Sequence, residues 1–237
     1  MSIVTQPLIT PRNSLLSHLP VHQRNAIYRA SEVLFYSVGD VLLHSHTHSN
    51  FVFFPVDAVL SVVRPLRGDL SVEIGLIGSE GMIGLDVIMD ARTQLDDIVV
   101  QSAGSAMRMP AEDLLKIFYG GGPLQRHLLH FTHAFLGQVS QNAACNRFHP
   151  LLGRLAKWLL MVHDRSAVPE IHSTTRLISL ALGAKETAID AAIAQLAATG
   201  CVRQVRGVIT INRDHLELSA CECYEALREA YGRTLAS

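Results

Sequence analysis

Apolar residues recur at Ile178, Leu182, Ile189, Ile193 and Leu196, a helical period interrupted once, by Gly183. The pattern predicts a short helix over residues 177–182 and a tight turn at Gly183-Ala184 that only small residues allow. A second helix over 186–198 follows, ended by Gly200 as a glycine just past the helix. Alternation then replaces the helical period. Residues 202–205 and 208–211 flank Arg206-Gly207, a hairpin signal. Helix, turn, helix and hairpin in this order describe a winged helix-turn-helix, whose second helix normally lies in the DNA major groove. A buried αα-hairpin shares the helical period. The glycine position, the helix lengths and the trailing hairpin favour the winged helix.

Upstream, residues 33–110 read as many short strands. The runs are 41–43, 51–54, 59–63, 71–77, 98–100 and 106–109, with turns at Gly39-Asp40, Ser49-Asn50, 55–57, 67–69 and 78–81. This spacing predicts an antiparallel barrel or roll. Residues 14–29 and 112–118 look like short flanking helices. After Gly120-Gly121-Gly122, Pro123 suits a helix start. A long amphipathic helix is expected from there to about residue 147. Leu124, Leu128, Phe131, Phe135, Gln138 and Asn142 trace a narrow seam along it, with Leu136, Val139 and Ala143 beside it. Such a seam suits a homodimer helix, in which Gln138 and Asn142 would fix the register or face water near its end; packing only within its own domain is the alternative. Pro150 stops this helix, and residues 154–162 form the next amphipathic one. The fold class expected is α+β: an N-terminal antiparallel β-roll over 1–120, a dimerisation helix over 121–148 and a C-terminal winged helix-turn-helix over 149–237.

Composition narrows the function classes. A chain of 237 residues with 49% hydrophobic content fills one large or two modest domains. No run of apolar residues is long enough for a membrane span. Residues 1–13 are polar and contain proline, so no signal peptide is expected. The four cysteines, Cys145, Cys201, Cys221 and Cys223, show no framework spacing, which points to free thiols in a reducing cytoplasm. Net charge is −1, but it divides unevenly. Residues 1–146 carry 9 Lys+Arg against 12 Asp+Glu, and residues 147–237 carry 11 against 9. The small basic excess falls on the winged-helix side.

The order of several motifs resembles the Crp/Fnr family of bacterial transcription regulators. They are Val52-Phe53-Phe54-Pro55, Gly78-Ser79-Glu80-Gly81-Met82-Ile83-Gly84-Leu85, Asn142-Ala143-Ala144-Cys145-Asn146-Arg147, Arg154-Leu155-Ala156-Lys157-Trp158-Leu159-Leu160 and Ala220-Cys221-Glu222-Cys223-Tyr224. The resemblance covers about residues 14–230. It implies a cyclic-nucleotide-binding-like β-roll, a homodimer and binding to a two-fold symmetric promoter site, with RNA polymerase as a further partner. It implies neither enzyme activity nor membrane attachment.

Two departures from the family pattern matter. Members that bind cyclic AMP carry Gly-Glu for the ribose and Arg-Ser or Arg-Thr for the phosphate, because a buried phosphate needs an opposing charge and donors. Here Gly84 precedes Leu85, and the second slot falls near 94–97, where Asp96 and Asp97 repel phosphate. Arg92 is the nearest cation, and it is displaced. No cyclic-nucleotide binding of the usual kind is therefore expected at Gly84, Leu85, Arg92, Asp96 and Asp97, and two alternatives stay open: an empty pocket, or one that takes an unidentified molecule other than cyclic AMP. The second departure is the reading helix, which presents Lys185, Glu186, Thr187, Ala188, Asp190 and Ala191. Family readers usually place arginine near Glu186. Arginine pairs bidentately with guanine, whereas glutamate only accepts, for example from cytosine N4. A slip of one residue would align Lys185-Glu186-Thr187 with the family's basic-Glu-Thr run, but it would bury Ala188 in place of Ile189. The unslipped register is preferred. Arg176, Lys185, Arg203 and Arg206 are the expected phosphate contacts. A degenerate reader, leaving a sensor or interaction protein of the same fold, is the second reading.

Other clusters carry weaker signals. His44, His46 and His48 would share one strand face if extended, a pattern similar to metal-binding cupins, but no acid follows before Asp57. An exposed loop is the preferred reading. His127, His130 and His133 drift around the long helix. Cys221 and Cys223, two apart on a helix, should point to different sides and bind no joint metal. No cysteine precedes Cys145, which disfavours an iron-sulfur cofactor. No cofactor, metal or catalytic residue is expected.

Overall fold

The computed structural model describes residues 13–235 apart from 69 and 92. The polar stretch 1–12 and the candidate effector residue Arg92 therefore lie outside the described residues. The chain begins with α1 (Ser14–Ser17) and α2 (Val21–Ala30). A roll follows, made of β1 (Glu32–Tyr36), β2 (Val41–Leu43), β3 (Phe51–Pro55), β4 (Val59–Pro65), β5 (Ser71–Ile77), the short α3 (Leu85–Ile88), β6 (Asp97–Ser102) and β7 (Gly104–Pro110). Its two antiparallel sheets run β1-β7-β3 and β2-β6-β4-β5. Strand β1 was not among the predicted runs. Val33 and Phe35 on it are exposed, so its apolar residues mark no core.

After α4 (Ala111–Tyr119) comes α5 (Pro123–Phe148), with proline in its first turn as the sequence suggests. Then follow α6 (Leu151–Arg165), β8 (Ile171–His172), α7 (Thr175–Leu182), α8 (Glu186–Ala198), β9 (Val202–Val205), β10 (Val208–Ile211), α9 (Arg213–Ser219) and α10 (Cys223–Leu235). The fold is α+β, with antiparallel sheets and one long helix.

Two apolar cores lie back to back across β4 and β5. The first fills the roll with Val52, Phe54, Leu60, Ile77, Met82 and Met107, and α5 plugs it with Leu124, Leu128 and Phe131. The second gathers Trp158, Leu159, Ile178, Ile189, Ile193 and Ile209 around Val59 and Leu76, which come from the roll. Glycines permit the close approach of α5. A Cβ on Gly81 would lie 2.3 Å from the Phe131 ring, and one on Gly75 would lie 2.5 Å from that of Phe135.

This packing corrects the expected seam. Leu124, Leu128 and Phe131 are completely buried by their own chain, and Phe135 packs against the same core. Leu124, Leu128 and Phe131 therefore cannot face a second copy, while Phe135 stays half-buried. Gln138 is not a register residue between helices either. Its Oε1 accepts from the Leu76 amide at 2.5 Å, while its Nε2 donates to the Leu76 carbonyl at 3.2 Å and to the Tyr231 hydroxyl at 2.6 Å. The side-chain amide thus pairs with β5 like a strand. Asn142 likewise donates to the Ile74 carbonyl at 3.0 Å. The face of α5 left open carries Leu129, His133, Leu136, Ser140 and Ala143.

Candidate nucleic-acid interface and roll pocket

Helices α7 and α8 meet at Gly183, whose φ of 60° needs a residue without a Cβ penalty. Thr174 caps α7 by accepting from the Leu177 amide at 3.2 Å. The Ser179 hydroxyl donates to the Ala184 carbonyl at 2.6 Å and closes the turn. Arg154 of α6 donates to the Leu182 carbonyl and fixes the end of α7. Ile189, Ala192, Ile193 and Leu196 turn inward on α8, while Glu186, Thr187, Ala188, Asp190 and Ala191 are exposed. That is the unslipped register. The hairpin β9–β10 turns at Arg206 and Gly207, with φ values of 49° and 81°, both left-handed as a type I′ turn requires. The additional strand β8 pairs with β10.

The candidate contacts are all exposed. Lys185 stands at the N-cap of α8, Arg176 is exposed on α7, and Arg203 and Arg206 are exposed on the hairpin. Asp190 accepts from the Thr175 hydroxyl at 2.8 Å, which ties the two helices together. Glu186 occupies the first turn of α8, where it favours the helix dipole but offsets the positive end that attracts phosphate. The α7–α8 turn also faces the roll. Leu66, Leu70 and Val72 form the opposite wall of a cleft of about 860 Å³ that includes Lys185, Glu186 and Thr187.

A second cavity, of about 350 Å³, lies between the roll and α5. Ile74, Ile77, Met82, Ile83 and Ile98 line it from the roll, and Phe135, Leu136 and Val139 line it from α5. Of the expected effector residues, Gly84, Leu85 and Asp96 line it. Gly84 has a φ of 103°, and a Cβ there would press on Val52. Asp96 is held by Arg64, at 2.5 Å from Nε and 3.2 Å from Nη2, so its charge is already paired. Asp97 is not part of the lining; its carboxylate accepts from the Ser45 amide at 2.7 Å. Burial raises the pKa of Asp86, also at the pocket, against hydrogen bonds that lower it. Arg64 was missed in the sequence because its partner lies 32 residues away.

His44, His46 and His48 are all exposed in a loop after β2, with His46 at a φ of 62°. They do not form one strand face. The reading of Cys221 and Cys223 also needs correction. Cys221 precedes α10 and Cys223 begins it, so helical geometry does not send them apart. Both converge with Cys145 and His149. The hydrogen bond with Cys221 lowers the Cys145 pKa, and the same contact together with burial raises that of Cys221.

No protein-family model matches the sequence. No curated protein matches it either. Solved structures do. A protein from Eubacterium rectale assigned to the crp/fnr family of transcriptional regulators superposes with a TM-score of 0.67 at 18% identity, covering 86% of this chain and 96% of its own. FixK2 from Bradyrhizobium japonicum gives 0.69 at 16% identity, covering 81% and 98%. A CRP/FNR-family transcriptional regulator from Thermus thermophilus gives 0.62 at 15%, covering 80% and 98%. The chain has the Crp/Fnr fold. Its structural neighbours on the Crp/Fnr fold are regulators rather than enzymes. Among the described residues no helix is long and apolar enough to cross a membrane.

Proposed function

We propose that this chain is a homodimeric, cytoplasmic transcription regulator of Crp/Fnr type, which binds a two-fold symmetric promoter site and contacts RNA polymerase. The observation that carries the reading is α8. Its apolar stripe is buried while Glu186, Thr187, Ala188, Asp190 and Ala191 are exposed, and Arg203 and Arg206 of the wing are exposed as well. A recognition helix needs that division, and a buried αα-hairpin does not. We divide the chain into a sensor roll over 1–120, a dimer helix over 121–148 and a DNA-binding unit over 149–237.

The dimer seam belongs to the open face of α5, where Leu129 and Leu136 are 53% and 57% exposed and seven residues apart. A heptad step on one face suits a second helix. Leu136 also lines the roll pocket, so the partner's helix would cover its mouth. The pocket walls favour an apolar effector. Cyclic AMP fits poorly, because among the described residues the lining offers a phosphate no cation, only Asp86 and the Arg64-paired Asp96. Binding there would shift α5 and reset the spacing of two reading helices across one DNA turn.

Arg203 and Arg206 supply the test. Replacing both with alanine removes two phosphate contacts from each protomer, four from the dimer. Affinity for any duplex should fall uniformly, and the slope of log K against log salt should become shallower by about 4. An unchanged slope in a fluorescence anisotropy titration would remove the wing from the interface. Glu186 and Asp190 favour a second reading, a protein of this fold whose reader has degenerated. In that case Glu186→Arg creates DNA binding where the parent shows none.

A further inference from the structure

Four side chains with metal-binding atoms converge where α5 ends and α10 begins. Cys145 lies in the last turn of α5, and His149 follows that helix four residues on, its amide donating to the Cys145 carbonyl at 3.0 Å. Cys221 and Cys223 arrive from the far end of the chain. The three sulfurs and one imidazole nitrogen all lie within 4.8 Å of one another. The Cys145 and Cys221 sulfurs are 3.6 Å apart, and the Cys223 sulfur is 3.3 Å from His149 Nδ1.

These distances select among the chemistries open to thiols. A disulfide needs sulfurs about 2.05 Å apart. A tetrahedral zinc ion, with bonds of about 2.3 Å to sulfur and 2.0 Å to nitrogen, spaces its donors by roughly 3.5–3.8 Å. The observed spacings fit one ion, and a multi-iron cluster would hold its thiolates farther apart. The donor set is three soft thiolates and an imidazole with no oxygen, which suits zinc and excludes magnesium or calcium.

The surrounding groups are those a metal site requires. His149 donates from Nε2 to Glu222 Oε1 at 3.0 Å, which leaves the Nδ1 lone pair facing the sulfurs. Gln141 donates to the Cys223 sulfur at 3.0 Å. Three thiolates and a divalent ion leave a net negative charge, and the buried Lys157 ammonium donates to Asn142 Oδ1 at 2.7 Å, one helical turn before Cys145. Cys145 and Cys223 are buried and His149 and Cys221 half-buried, and four protein donors leave no open position, as in structural zinc.

We propose that Cys145, His149, Cys221 and Cys223 bind one zinc ion that pins the start of α10 to the end of α5. The site stands whether or not the chain reads DNA. It ties the long helix to the C-terminal unit at the bend before α6, so loading it fixes the angle between them.

The full-length reduced protein, stripped with a chelator, is titrated with cobalt(II) and then with zinc. Expected are thiolate-to-cobalt charge transfer, intense tetrahedral d–d bands saturating at one cobalt per chain, and displacement by zinc. Cys201 is the internal control, since its sulfur contacts Thr199, Ser219 and the His215 carbonyl instead. Cys201→Ser keeps the cobalt spectrum, whereas Cys145→Ser and Cys223→Ser each lose its tetrahedral signature. Failure of the parent to take up stoichiometric metal overturns the proposal, and that result does not depend on any variant folding. So does a tetrahedral spectrum that survives Cys145→Ser with Cys223→Ser, or a Cys145–Cys221 disulfide that persists under reductant.

Discussion

Glu73→Gln is expected to stabilise the protein by about 3 kcal/mol at pH 8 and to flatten its stability profile between pH 5 and 8. Glu73 lies on β5, between the two cores, and is 6% exposed. The Ser61 hydroxyl donates to it at 2.6 Å, and the Trp158 indole donates to both its oxygens at 3.2 Å. Burial nevertheless dominates and pushes its pKa up to about 7, against those donors and the charges of Lys157 and Arg165. The folded protein therefore holds this proton more tightly than the unfolded chain. The resulting stabilisation is complete below the ordinary carboxyl value of 4.5 and is lost as pH rises through about 7. Glutamine retains the shape without the charge. Thermal or urea unfolding across pH 5–8 should fall steeply for the parent and remain level for the variant. Parallel profiles would mean that the buried carboxylate carries no such cost.

The second large effect separates the two faces of α5. Phe131→Ala should cost about 3–5 kcal/mol, because a large ring is lost from a fully enclosed position with nothing to refill it. Phe131 is 0% exposed and fits a space that Gly81 keeps open. Leu136→Ser, on the open face, should change the stability of the isolated chain by about 0.5 kcal/mol or less. It should instead dissociate the dimer at micromolar concentration. Urea unfolding measures the first effect and sedimentation velocity the second. A Leu136→Ser protein that remains dimeric would place the seam elsewhere.

This contrast also marks what the sequence makes legible. The period of α5 identifies which residues share a face, but it does not say whether that face meets another copy or the chain's own roll. Gln138 illustrates the difficulty. A polar residue on an apolar stripe resembles a register device until its amide is seen pairing with Leu76. The winged helix was readable because its determinants are local. Gly183 makes the turn, Ile189, Ile193 and Leu196 define the buried side, and Arg206-Gly207 turns the hairpin. The exposed residues of α8 follow from that register. The pocket was only partly legible. Gly84 and Leu85 are local to its turn, but Arg64 reaches Asp96 across strands. The cysteine cluster left one clue, the four-residue step from Cys145 to His149, which matches a helical turn. Its other half depends on α10 packing back along α5, a contact spanning more than 70 residues that periodicity does not encode.

Selection of random duplex DNA by the purified protein, read by sequencing at low and moderate salt, tests the regulator reading most directly. The account predicts enrichment of a two-fold symmetric motif whose half-sites lie about 10 base pairs apart, one helical turn. It also predicts weaker retention as salt rises. Retention without any motif, or no retention at either salt concentration, would contradict it.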